Sequence, residues 1–127
     1  MPFAWIAASL LSALVPASVI TMIARGPELA RLWLFAFTVA LAHGLVLGLP
    51  IALLYRAKRW QRPGLAVATG FLIGAIPVAV LIAPVGVWPD HLDLVGLFGT
   101  LGASGALAFW LTLRLAGALD DASPSSE

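Results

Sequence analysis

The chain lacks cysteine and has few charged residues, and both deficits exclude classes of protein. Without a thiol there is no disulfide framework, no thiolate metal site and no cysteine nucleophile. The absence of cysteine does not indicate whether the protein lies in an oxidising or a reducing compartment. Charged side chains make up 10% of the 127 residues, against about 25% in soluble domains. The formal net charge of +1 argues against a nucleic-acid-binding protein, which would carry a basic face. We therefore expect no nucleic-acid partner.

Motifs that carry enzyme chemistry are also missing. The sequence has no P-loop, no HExxH, no GxSxG and no paired carboxylates inside an apolar run. The stretch PDHLD groups Asp90, His91 and Asp93, but three side chains at one helix start cannot complete a metal coordination sphere. Asp90 is better explained as an N-cap and Asp93 as a first-turn acid that favours the helix dipole. We expect no enzyme, no catalytic residue, no cofactor and no metal.

What the chain does have is long apolar runs. Hydrophobic residues make up 61% of it and the mean hydropathy is +1.03. A membrane-spanning helix needs about 20 mainly apolar residues, and four windows provide them, at about 3–24, 32–55, 64–83 and 92–115. The sequence predicts an all-α integral membrane domain over residues 1–119, a four-helix up-down-up-down bundle. We expect residues 120–127, DDASPSSE, to form a short disordered cytoplasmic tail.

Orientation follows from the distribution of Lys and Arg in the loops. The second predicted loop is a basic loop that holds Arg56, Lys58, Arg59 and Arg62, and Arg114 lies at the same end. The opposite end has Arg25 and Arg31. This bias predicts that both termini are cytoplasmic, in a bacterial inner membrane, with the basic loop at the lipid headgroups. The first segment lacks the basic n-region of a signal peptide, so we expect it to remain as a helix.

Small residues predict where the helices pack, because membrane helices associate through close backbone contact. The candidate packing residues are Gly44, Gly48, Gly70, Gly74, Gly99 and Ala103. In an antiparallel hairpin around the basic loop, Gly44 and Gly74 lie at one depth and Gly48 and Gly70 at another. We therefore expect a direct glycine seam between the second and third helices.

His43 is the candidate for intramembrane chemistry, since it lies near the middle of the second helix. A charged imidazole at that depth is costly, so we expect a neutral ring that faces the bundle. Its expected partner is Thr69, Thr100, Ser104, a carbonyl freed by a proline, or a water. A structural hydrogen bond and a functional role, such as proton relay or solute contact, both remain open. We further expect Gly44 and Gly48 to matter more for folding than His43.

Two classes of function fit these observations. Abundant packing faces and sparse chemistry favour a small non-enzymatic accessory or modulator subunit of a larger membrane assembly, immunity-type proteins included. Its partners would be the lipid bilayer and other membrane subunits or further copies of the chain. The alternative is a small-solute channel or transporter that acts as a homo-oligomer, because four helices rarely enclose a pore.

Overall fold

A computed structural model of the chain describes residues 2–24, 26–57, 62–85 and 91–119. Within these ranges all regular structure is helical. Helix α1 spans Pro2–Ile23; the second span consists of α2 (Leu29–His43), a π-helical segment (Gly44–Gly48) and α3 (Leu49–Ala57). Helix α4 spans Pro63–Ile82, the 3-10 turn Ala83–Val85 follows, and α5 spans Leu92–Leu115.

The prediction of four spans is confirmed at the level of length and composition. The described residues contain four helical segments that are long and apolar enough to cross a membrane, at Phe3–Ile23, Leu29–Ala57, Pro63–Leu81 and Leu92–Leu115. The regular structure of the described residues is thus all helical, and the four apolar helical segments suggest a multi-pass membrane protein. The second span is longer than the predicted 32–55 and has 29 residues, about 43 Å of helix. That exceeds the hydrocarbon thickness of about 30 Å, so a helix of this length would cross a bilayer only with tilt or with its ends outside the hydrocarbon.

Local sequence explains the helix boundaries. Gly26 has a φ of 142°, a conformation that glycine adopts readily, and it separates α1 from α2. Pro63 occupies the first position of α4 after the extended Arg62, where a missing amide hydrogen costs nothing. Asp90, the predicted N-cap of α5, lies outside the described residues, as do Arg25, Lys58, Arg59 and the predicted tail.

A Schellman motif ends α5 and ties it to α1. Gly117 has a φ of 67°, its amide donates to the Arg114 carbonyl, and the Ala118 amide donates to the Leu113 carbonyl, both at 3.0 Å. The accompanying apolar contact brings Leu113 and Ala118 together with Ala8 of α1 in one buried cluster. The end of α5 is therefore held against the start of α1.

The second span is interrupted where the sequence predicted a continuous helix. The Leu49 amide donates to the Gly44 carbonyl, five residues back instead of four. Pro50 follows at once and has no amide hydrogen, and in a regular helix its ring would collide with the carbonyl of Val46. The extra residue in this turn relieves that collision, which explains why the π segment ends two residues before the proline.

The helices pack in an open arc, with antiparallel neighbours. The second span contacts α1, α1 contacts α5, and α5 makes the most extensive contact, with α4. Between the second span and α4 the contacts are sparse and centre on the π segment. One polar link also crosses here, a 2.6 Å hydrogen bond between the Tyr55 and Thr69 hydroxyls. The arc therefore leaves a gap between its two ends.

The predicted seam between Gly44/Gly48 and Gly70/Gly74 does not form. Gly70 and Gly74 pack on α5 instead. A Cβ added to Gly70 would overlap Gly102 and Ala106, and a Cβ added to Gly74 would overlap the Phe98 carbonyl. Equal depth in the bundle determines which residues of two helices can meet, but not which helices are neighbours. Helix α5 offers α4 the better surface of small residues. Gly44 faces Ser12 of α1. A Cβ added to Gly44 would lie 3.7 Å from the Ser12 hydroxyl oxygen.

The other predicted packing residues lie on α5. Gly99 is buried beneath the Phe71 ring of α4, which would be 2.6 Å from an added Cβ. Ala103 is half-buried. Small side chains dominate the interior, where Ala8, Ala13 and Ala17 are fully buried. Large side chains such as that of Leu115, which is 86% exposed, point outward. Such a distribution suits a bundle whose solvent is lipid.

Candidate intramembrane cavity

The gap between the second span and α4 forms a cavity of about 590 Å³. Small-molecule sites in proteins have volumes of about 300–1,000 Å³. All four spans contribute to its walls, including Ser12 of α1, Gly48 of the π segment, Ile73 of α4 and Phe98 of α5. Gly48 leaves open space, because no atom lies within 4 Å of its virtual Cβ. The wall is formed almost entirely by aliphatic, aromatic and glycine residues.

The hydroxyl groups in the wall are already engaged. Ser9 donates to the Trp5 carbonyl at 2.9 Å, and Ser12 donates to the Ser9 carbonyl at 2.7 Å. The Tyr55 and Thr69 hydroxyls bond to each other. Side-chain to backbone bonds within one helix are the usual way for Ser and Thr to satisfy themselves among apolar neighbours. The cavity therefore offers little polar surface to a ligand.

His43 lines the cavity and is half-buried. Its Nδ1 lies 2.9 Å from the Val39 carbonyl oxygen, one turn back in the same helix. A neutral ring with its proton on Nδ1 donates this bond and leaves Nε2 as an acceptor. None of the three expected side-chain partners, Thr69, Thr100 and Ser104, bonds to His43 in the described part of the chain, because the imidazole bonds to a carbonyl within its own helix.

Of the predicted polar set, the structure brings only His43 and Thr69 to the same cavity. Thr100 is exposed and donates to the Gly96 carbonyl at 2.7 Å. Ser104 donates to the Leu101 carbonyl at 2.7 Å. Neither of these two residues lines the cavity. The sequence gives the depth of each hydroxyl residue in its span, but not the direction in which its side chain points.

One end of the cavity is cationic and aromatic. Arg56 and Arg62, from the predicted basic loop, both line it, together with Trp5, Tyr55 and Trp110. The Arg56 guanidinium lies 5.6 Å from the centre of the Trp5 ring, within cation–π range. Arg114 lies at the same end but over Trp110, 5.1 Å from the ring centre, and does not line the cavity. The placement of aromatic rings beside cations is typical of a membrane interface.

Sequence reasoning missed the cavity and the π segment that borders it. The signal present in the sequence is GLVLGLP, residues 44–50, in which two glycines and a proline fall within seven positions. Glycines remove side-chain volume on one side of the helix, and proline imposes the irregular turn. The cavity itself could not be derived from this stretch, because it depends on α4 choosing α5 as its neighbour.

In the part of the chain that the structure describes, no group of three His, Cys, Asp or Glu side chains could hold a metal ion. Comparison of the chain with family models, curated proteins and solved structures found no match. An apolar intramembrane cavity with one cationic end is therefore the feature from which function is inferred.

Proposed function

We propose that the chain is a small non-enzymatic protein of the bacterial inner membrane, with both termini cytoplasmic, that holds an apolar molecule in its intramembrane cavity. It shares with the small-solute channel or transporter, the alternative expected from sequence, the binding of a small molecule, but it includes no transport step. The observation that carries the proposal is the cavity of about 590 Å³ in a bundle whose other helix contacts are close. Membrane helices gain by close packing, so a gap of this size favours an occupant.

The polarity of the wall argues for an apolar occupant. An ion or a sugar needs several free donors or acceptors inside the membrane, where unpaired polar groups are costly. Here the hydroxyls of Ser9, Ser12 and Thr69 are each engaged. His43 Nε2 is the one imidazole nitrogen left to accept a bond. A water-filled ion path fits this surface poorly.

A cavity-filling variant tests the proposal. Gly48→Phe places a ring in the open space of the cavity, and Gly96→Phe is the matched control. Gly96 also has no atom within 4 Å of its virtual Cβ, but it lies on α5 outside the cavity wall. Native mass spectrometry after purification in a mild non-ionic detergent measures the molecules that each protein retains.

We expect the wild type and Gly96→Phe to retain an apolar adduct, and Gly48→Phe to lose it while keeping its helical circular dichroism. Equal retention by all three proteins, or no adduct on the wild type after reconstitution in lipid, would contradict the proposal.

A second candidate is the accessory subunit of a larger membrane assembly, and one observation favours it. No residue of the second span is buried within the bundle, whereas each of the other three spans has buried residues. A partner subunit could cover that face. Purification from native membranes in mild detergent, followed by mass spectrometry, should then show one partner at fixed stoichiometry. A protein that runs alone under every gentle condition would rule this candidate out.

A further inference from the structure

We propose that the occupant is an anionic phospholipid of the surrounding bilayer, with one acyl chain in the cavity and its phosphate at Arg56 and Arg62. This inference rests on the proposed function, because it names the molecule that the cavity holds. It goes beyond general headgroup contact, since a lipid bound in this way is bound at one defined site.

Charge at the cavity mouth selects the headgroup. Arg56 and Arg62 line the cavity, and its described wall contains no Asp or Glu. The one ion pair found among the described residues, Arg31 with Glu28 at 3.1 Å, lies at the opposite end of the bundle. Both cavity arginines are exposed, and Arg56 also lies over the Trp5 ring. Arginine binds phosphate oxygens in a bidentate manner and is less strongly hydrated than lysine.

The length of the cavity suits an acyl chain. On α4 the wall runs from Ala66 to Leu81, about 22 Å of helix. One leaflet contributes about 15 Å of hydrocarbon, half of the bilayer core. A chain whose headgroup is fixed at the arginines can therefore lie in the cavity along its full length. The indole rings of Trp5 and Trp110 then lie at headgroup depth, as interfacial tryptophans do.

A polar contact across the gap argues against a helix from another protein. The bond between Tyr55 and Thr69 crosses the gap at the cationic end, and an inserted helix would have to break it. A single hydrocarbon chain requires no such opening.

A lipid competition experiment tests the inference. Purified protein is exchanged into dodecylmaltoside micelles that contain equal amounts of phosphatidylglycerol and phosphatidylcholine with identical acyl chains. Native mass spectrometry then measures the ratio of the two bound lipids. The variants are Arg56→Gln, Arg62→Gln and the double variant, and the control is Arg114→Gln, an arginine at the same end that does not line the cavity.

We expect the wild type and Arg114→Gln to prefer phosphatidylglycerol. Each cavity arginine should account for roughly a fivefold preference and the pair for about thirtyfold, since a basic residue near anionic headgroups contributes about 1 kcal/mol. The double variant should bind the two lipids equally, yet still lose both when Gly48→Phe is added.

The outcomes separate this inference from the proposed function. If the wild type binds both lipids equally, or if Arg114→Gln lowers the preference as much as the cavity variants do, the headgroup assignment is wrong. In that case loss of lipid in Gly48→Phe alone would still support a cavity for apolar molecules. If Gly48→Phe retains lipid like the wild type, the cavity is not the binding site and both proposals fail.

Discussion

Glycine has two opposite uses in this bundle, and they are distinguished by what faces the missing side chain. Gly74 lets α4 approach the Phe98 carbonyl of α5 so closely that no Cβ fits between them. Gly48 faces open space in the cavity wall. The same residue type therefore creates close contact in one span and empties volume in another. In the close contact, dispersion and backbone approach stabilise the pair of helices.

A pair of matched alanine variants measures this difference. Gly74→Ala should destabilise the protein by about 1–3 kcal/mol, as overpacking of a close interface does. Gly48→Ala should be neutral or stabilising by up to about 1 kcal/mol, since alanine is the better helix former. Thermal unfolding in detergent compares the two. A larger loss for Gly48→Ala than for Gly74→Ala would contradict the assignment.

His43 should contribute little to folding. Its described hydrogen bond is to the Val39 carbonyl in its own helix, and intramembrane side-chain hydrogen bonds average about 0.6 kcal/mol. We expect His43→Leu to change the free energy of unfolding by no more than about that amount, as measured by thermal stability in detergent. His43→Gln, which keeps a polar group, should behave in the same way. A large loss in the leucine variant alone would place His43 in a buried polar network.

Among the helical elements, the second span is the most irregular and the least covered. Its π segment begins directly after His43 and ends two residues before Pro50. The extra residue shifts the register of α3 relative to α2 by about 100°, one residue of helical rotation. That shift places the face of α3 that carries Tyr55 toward Thr69 of α4, where the two hydroxyls meet.

Removal of the proline should therefore stabilise the helix and disturb the site. Pro50→Ala restores an amide donor and allows the regular helical turn that the proline ring excludes, a difference of up to about 3 kcal/mol in a helix interior. We expect a higher midpoint of thermal unfolding together with reduced lipid retention in native mass spectrometry. Pro84→Ala, in the 3-10 turn after α4 and outside the cavity wall, is the control and should keep its lipid. Pro50→Ala with unchanged lipid retention would show that the π segment does not shape the cavity.

The whole molecule was predictable from sequence at the level of spans but not of neighbours. Apolar runs define a span by length, which is why the fourth window, 92–115, agrees with the observed Leu92–Leu115. Which face of α4 meets α5 depends on small residues that are present on several helices at once. The cavity is a consequence of that choice, and so are the separate positions of His43, Thr100 and Ser104. Only contacts between helices could reveal them.

Orientation is a further prediction at this scale, because it depends on the charges of the complete chain. The basic residues at the Arg56, Arg62 and Arg114 end should be cytoplasmic under the positive-inside rule. A reporter fused after Glu127 should be active only as a cytoplasmic reporter, and one inserted near Val87 only as a periplasmic one. A periplasmic signal at Glu127 would reverse the orientation and place the cavity arginines outside.

The central claim, that a hydrocarbon chain occupies the gap between the second span and α4, is tested most directly by photo-crosslinking. Protein in vesicles of phosphatidylglycerol with a diazirine in one acyl chain is irradiated, and the labelled positions on α4 are mapped by mass spectrometry. Ile73 and Val78 line the cavity, whereas Leu72, Ile76 and Val80 are outward and exposed. We predict labelling on both faces, with Gly48→Phe removing it from Ile73 and Val78 alone. No label at those two positions in the wild type, or labelling that Gly48→Phe leaves unchanged, would contradict the account.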